Sequence, residues 1–108
     1  MALIVEKFGG TSVGDVDRIH AVADQIAHTK ASGVRLVVVL SAMAGETNRL
    51  LDLGARVSPA SEHREIDVLI STGEQVTIAL LALALEARGV PARSYTGDQV
   101  RIVMDNVH

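Results

Sequence analysis

The spacing of hydrophobic positions changes several times along the chain, and each change marks an element. Residues 2–8 are a short run rich in Ile and Val that stops at Gly9-Gly10, as a strand ended by a turn does. From Asp15 onward Val16, Ile19, Val22, Ala23, Ile26 and Ala27 recur at steps of three and four or adjacent to them, which puts them on one face of a helix. Asp15 is placed to cap its start and Gly33 to end it. Residues 34–40 contain the unbroken aliphatic run Leu36 to Leu40. Such a run is too continuous for a strand with one wet face, so both of its faces are expected to be covered. Strand, helix and strand in this order predict a parallel pair.

Residues 47–57 predict a short helix and residues 58–61 a loop, because Pro59 biases Ser58 away from helical conformation. Residues 66–87 are helical in pattern, yet Ser71-x-x-Glu74 and Thr72-x-x-Gln75 each match a capping box. Two helices meeting near Gly73 are therefore expected, the second over residues 74–88. Its stretch from Ile78 to Leu85 is apolar almost all round and needs more than one neighbour. Gly89 ends it, Pro91 follows, and residues 92–95 and 101–104 are candidate strands flanking the turn Thr96-Gly97-Asp98. Alternating strands and helices imply an α/β fold layered on a mainly parallel sheet.

Composition narrows the classes. A chain of 108 residues fits one domain. Hydrophobic residues make up 48% but aromatics only 2%, Phe8 and Tyr95, so the core is built from aliphatic side chains. That richness, with a net charge of −3, argues against disorder. Cations are not clustered, so no nucleic-acid partner is expected. The longest uninterrupted apolar stretch, residues 78–85, falls short of the roughly 20 residues that span a bilayer, and no membrane partner is expected either. The amino terminus lacks the basic segment and cleavage site of a secretory signal, which predicts a cytoplasmic protein. The chain has no Cys, and His20, His28, His63 and His108 are scattered, so neither a disulfide nor a metal site is anticipated.

Ligands of an open parallel sheet bind beyond the carboxyl ends of its strands, which directs attention to the loops after Phe8 and Leu40. The first, Lys7-Phe8-Gly9-Gly10-Thr11-Ser12-Val13-Gly14, lets backbone N–H groups approach an anion, with a helix N-terminus behind it. It is neither common phosphate motif. Thr11 stands where the dinucleotide fingerprint needs Gly, and Asp15-Val16 where the Walker pattern needs Lys-Ser/Thr. The second loop, residues 41–48, has Ser41 at a strand end and Thr47 at a helix start. These hydroxyls could surround a carboxylate, although singly Thr47 reads as an N-cap and Ser41 as a satisfied strand-end group. Glu74 could close a capping box or pair with a substrate ammonium. Together the three segments suit a zwitterionic amino acid and a phosphate.

The motifs Lys7-Phe8-Gly9-Gly10-Thr11-Ser12, Ser41-Ala42-Met43 and Ser71-Thr72-Gly73-Glu74-Gln75, in this order and spacing, resemble those of the aspartate kinases of the amino-acid kinase family. The likeness extends along essentially the whole chain, Tyr95-Thr96-Gly97-Asp98-Gln99 included. It implies a three-layer α/β sandwich, of which residues 1–108 would be the amino-terminal portion of the catalytic domain, truncated and without the regulatory ACT domains. It implies transfer of a phosphoryl group from ATP, with Mg2+, to the β-carboxylate of L-aspartate. Lys7, Phe8, Gly9 and Gly10 would hold the ATP phosphates, with Lys7 catalytic, and Ser41, Thr47 and Glu74 would hold aspartate. A carboxylate nucleophile is already ionised at neutral pH, so no general base is required. The resemblance also implies that this portion, lacking most of the nucleotide pocket, is inactive alone, and a sheet cut after Met104 with an exposed apolar helix over residues 74–88 predicts a homo-oligomer. Two other readings stand beside it: a kinase for a different carboxylate, and a non-catalytic assembly module.

Overall fold

A computed structural model describes residues 2–59 and 63–96. Strand β1 (Leu3–Phe8) leads through a glycine-rich loop to helix α1 (Val16–Lys30), then strand β2 (Arg35–Leu40), helix α2 (Glu46–Val57) and helix α3 (His63–Glu86). The strands pair in parallel, with Leu3 opposite Arg35 and Phe8 opposite Leu40, as a crossover through α1 demands.

Local chemistry sets the helix ends. The Arg18 N–H donates to Asp15 Oδ1 at 2.8 Å, the N-cap bond expected of Asp15. At the far end of α3 the Gly89 N–H donates to the Glu86 carbonyl and the Val90 N–H to the Leu85 carbonyl. Gly89, at φ 74°, supplies the left-handed residue that this double closure needs.

α1 and α3 pack on one face of the sheet. Ile19, Val22, Ala23 and Ile26 of α1 meet Leu81, Ala84 and Leu85 of α3 over Phe8 and Leu40. Arg88, just past the end of α3, fastens it to the middle of α1. Its Nε donates to Asp24 Oδ1 at 2.7 Å, its Nη1 to the Ala84 carbonyl at 2.8 Å, and its Nη2 lies 3.1 Å from His20 Nδ1.

Three expectations are corrected. The segment expected to be two helices is one, because no capping box forms at Gly73. The Ser71 and Thr72 hydroxyls instead donate back to the carbonyls of Val68 and Leu69, which leaves the helical ladder intact. Gly73 is buried against its neighbours, and it is there for closeness and not for a break. Next, β2 is not covered on both faces by the described residues. The outward side chains Leu3, Val5, Val37 and Val39 are 58%, 64%, 48% and 45% exposed, because both helices that cross the sheet lie on the other face. Last, residues 92–95 form no strand, and residues 101–104 lie outside the described residues. A cleft of about 610 Å³ separates the free edge of β2 from residues 90–96 and α3.

By length and composition, Arg64–Glu86 of α3 is apolar enough to cross a membrane. Here one side of it packs into the fold, with Thr77, Leu81, Ala84 and Leu85 buried, while Val76 and Leu83 on its other side are 54% and 62% exposed.

Candidate functional site

Parallel pairing of β1 and β2 brings the loops after Phe8 and Leu40 side by side at the carboxyl ends of the strands. The Ser41 N–H donates to the Phe8 carbonyl at 3.2 Å, fastening one loop to the other. A Cβ placed on Gly10 would lie 3.4 Å from the Ala42 carbonyl oxygen, and one on Gly14 would lie 3.3 Å from the Ala44 Cβ. α3 arrives from the other side: a Cβ on Gly73 would lie 3.2 Å from both the Ala42 Cβ and the Leu50 Cδ1, and 3.8 Å from the Glu46 Cβ. Ala42 is thus the hub on which the glycine-rich loop, the second loop and α3 converge. Hydroxyls and charges pointed to these segments in the sequence, whereas the small residues Ala42, Ala44 and Gly73 are what lets them touch.

Lys7 is exposed and has no hydrogen bond or ion pair among the described residues, so its ammonium is available to a ligand. The Phe8 side chain is buried in the core, so Phe8 holds the loop from beneath and leaves only its backbone near a ligand. Above Gly9 there is open space, with nothing within 4 Å of where a Cβ would be. The Ser12 N–H closes a turn on the Gly9 carbonyl at 3.0 Å. Val13 is fully buried and plugs the loop into the core, a role its polar surroundings in the sequence concealed.

The start of α1 is not an open anion site. The Asp15 carboxylate already caps it, and Asp17 adds a second negative charge in the first turn. Donors for a phosphate at this loop must therefore come from Lys7 and the backbone of Gly9 and Gly10.

The start of α2 is different. Its N-cap is Gly45, left-handed at φ 80°, with no side-chain cap, so Thr47 lies inside the first turn and is not the cap expected of it. An uncapped helix start presents free N–H groups to an anion, and Thr47 and half-buried Ser41 flank it. Glu46, which the sequence reading overlooked, forms a two-point pair with Arg49 at 2.8 and 2.9 Å. The hydrogen bonds from Arg49 hold the Glu46 carboxyl below its ordinary value of 4.5. The only cue was the spacing of three between an acid and an arginine on one helix.

Glu74 lies mid-helix in α3, one residue beyond the Gly73 contact. Its carboxylate is exposed and has no partner among the described residues. It lines the β2-edge cleft with Ser71 and Gln75, whereas Lys7, Gly9 and Gly10 lie outside it. The cleft walls are otherwise largely apolar, and it runs where a further strand would add to β2, so the convergent loops and not this cleft are the candidate site. No group of three or more acidic or His side chains able to hold a metal ion occurs among the described residues.

The loops after Phe8 and Leu40 thus bring together a free lysine, open backbone donors and an uncapped helix start, groups able to receive anions, whereas the Glu74 carboxylate lines the β2-edge cleft. The amino acid kinase family model matches residues 2–107, and the chain belongs to that family. Within it, the chain is 64% identical to an aspartate kinase of Pseudomonas fluorescens, over 100% of its own length and 27% of that protein. It is 51% identical to an aspartokinase of Thermus thermophilus over 97% of this chain and 26% of that one. Among solved structures, aspartate kinase from Synechocystis superposes with a TM-score of 0.84 at 57% identity, covering 87% of this chain and 16% of that chain. E. coli aspartokinase III in complex with aspartate and ADP superposes with a TM-score of 0.69 at 27% identity, covering 88% and 31%. The chain therefore spans about a quarter of the length of the curated relatives it matches.

Proposed function

We propose that this chain is the amino-terminal part of an aspartate kinase catalytic domain, which transfers the γ-phosphoryl group of ATP to the β-carboxylate of L-aspartate. The observation that carries this reading is the meeting of the glycine-rich loop, the second loop and α3 at Ala42, which supports reading the first loop as a phosphate binder next to a carboxylate binder. The likeness to a kinase bound to aspartate and ADP supports both ligands.

Lys7 and the Gly9 and Gly10 amides receive the transferring phosphoryl group and neutralise its charge, which is most of what phosphoryl transfer asks of a protein. Ser41, Thr47 and the start of α2 orient a carboxylate of aspartate, and Glu74 pairs with its ammonium. The β-carboxylate oxygen attacks phosphorus, the bond from phosphorus to the bridging oxygen of ADP breaks, and an acyl phosphate leaves with no proton to be removed. Mg2+ arrives with the nucleotide. The described residues offer it no cluster of ligands.

In this reading the quarter-length span is inactive by itself, and the protein is cytoplasmic and homo-oligomeric. The test is hydroxylamine trapping of the acyl phosphate with Mg-ATP and L-aspartate. This chain, continued by the remaining sequence of the Pseudomonas fluorescens relative, should yield hydroxamate, Lys7→Ala should lose at least about a hundredfold, and L-glutamate should not substitute. Activity retained in Lys7→Ala removes the role given to Lys7, and activity with glutamate in place of aspartate removes the substrate.

A further inference from the structure

The two helix starts beside the site differ in what occupies them. At α1 the Asp15 carboxylate accepts from the Arg18 N–H, so a side chain of the chain itself stands where an anion would. At α2 no side chain does so. The Glu46 N–H donates to the Met43 carbonyl at 3.0 Å, whereas the Thr47 and Asn48 N–H groups have no backbone partner among the described residues. Those two donors are the ones left for an anion.

A competitor for them stands within reach. Glu46 is the acidic residue in the first turn of α2, where a carboxylate is drawn to the free N–H groups. It is not on them, because Arg49 holds it elsewhere. The Arg49 Nε donates to one carboxylate oxygen at 2.9 Å and Nη2 to the other at 2.8 Å, so one planar group engages both. These bonds keep the Glu46 carboxyl below its ordinary value, and at neutral pH the competitor carries a full negative charge. It also sits where α3 reaches the loops, since its Cβ lies 3.8 Å from where a Cβ on Gly73 would be.

We infer that Arg49 is a positioning residue, which by gripping Glu46 keeps the start of α2 open to a carboxylate of the substrate. The inference rests on the reading above in which Ser41, Thr47 and this helix start orient aspartate. Arg49 acts through Glu46 and makes no contact with the substrate. Released, the Glu46 carboxylate turns onto the Thr47 and Asn48 amides and takes the substrate's place.

The test uses the length-restored protein. Arg49→Ala should raise the KM for L-aspartate at least about tenfold, as loss of a charge-assisted hydrogen bond does, and leave kcat and the KM for ATP within about twofold of the parent. The double variant Glu46→Gln/Arg49→Ala should bring the aspartate KM back to within about twofold, because a neutral amide competes poorly with a carboxylate. An unchanged KM in Arg49→Ala overturns the inference. So does a double variant no better than Arg49→Ala, which makes Arg49 itself a contact of the substrate. A crystal structure of the Arg49→Ala protein, which needs no activity, should place a Glu46 carboxylate oxygen about 3 Å from the Thr47 or Asn48 nitrogen; a carboxylate left in solvent also overturns the inference. If the turned carboxylate is seen in a protein whose parent makes no hydroxamate, the proposed function fails and the hold of Arg49 on Glu46 stands.

Discussion

Gly73 is where α3 presses on the candidate site, and replacing it tests how closely. In Gly73→Ala the new Cβ lies 3.2 Å from the Ala42 Cβ and 3.2 Å from the Leu50 Cδ1, closer than carbon atoms settle by choice. Ala42 cannot turn aside, because its Cβ is fixed by the backbone, and Leu50 is itself buried. Overpacking of this kind costs about 1–3 kcal/mol. Set against it, Ala in a helix interior is favoured over Gly by about 1 kcal/mol. The net expectation is a loss of about 1 kcal/mol for Gly73→Ala and about 3 kcal/mol for Gly73→Val, whose extra methyls have nowhere to go. Gly54 is the internal control. A Cβ there lies 2.9 Å from the Ile66 Cδ1 and 3.3 Å from the Leu69 Cδ2, but both are ends of flexible side chains that can swing away. Gly54→Ala should therefore stay within about 0.5 kcal/mol of the parent. Urea unfolding followed by circular dichroism resolves these differences, since a slope of about 1 kcal/mol per molar turns each kilocalorie into a midpoint shift of about 1 M. If Gly73→Ala instead stabilises the chain by about 1 kcal/mol, helix propensity acts alone and the contact with Ala42 is not there.

Asp15→Ala should cost about 1 kcal/mol by leaving the first turn of α1 without its cap, while Asp15→Asn, which can still accept that bond, should cost less than half as much in the same unfolding assay. Arg88→Ala should cost about 1 kcal/mol, most of it from the lost carbonyl bond and packing, because Asp24 is largely exposed and its ion pair is screened; a cost unchanged by 1 M salt agrees with this, and one abolished by salt does not. Glu46 is held below its ordinary value of 4.5 by Arg49, so the folded state binds its proton less readily than the unfolded one. The stability this contributes is fully present above about pH 4.5 and disappears as pH falls through the lower folded value; Glu46→Gln should flatten that part of the pH–stability curve and leave the curve at pH 7 to 8 parallel to the parent's.

Much of this architecture was legible in the pattern of side chains, for reasons particular residues make plain. β1, α1 and β2 follow from local periodicity and from Asp15, whose capping bond involves only its own first turn. The loops after Phe8 and Leu40 follow from the geometry of parallel strands. What escaped was non-local. Ser71, Thr72 and Gly73 together look like a helix boundary, and only the neighbours Ala42 and Leu50 reveal that Gly73 makes room for packing inside one continuous helix. Thr47 looks like a cap until Gly45, free to turn left-handed, takes that position. Val13 lies in a stretch of glycine and hydroxyl residues, and its burial depends on a core assembled from α1, α3 and both strands. The aliphatic run of β2 predicts a cover for both faces, and the described residues supply one.

The continuity of α3 has a mechanical consequence. At about 1.5 Å per residue, the distance from Gly73 to the Arg88 clamp is about 22 Å, and no hinge interrupts it. A rod of that length tilted by about 3° at the clamped end moves its other end by about 1 Å, a misplacement that can cost an enzyme about a hundredfold in rate. Substitutions among His20, Asp24 and Arg88, far along α3 from the contact at Ala42, can therefore act at Gly73 as a lever acts on its load.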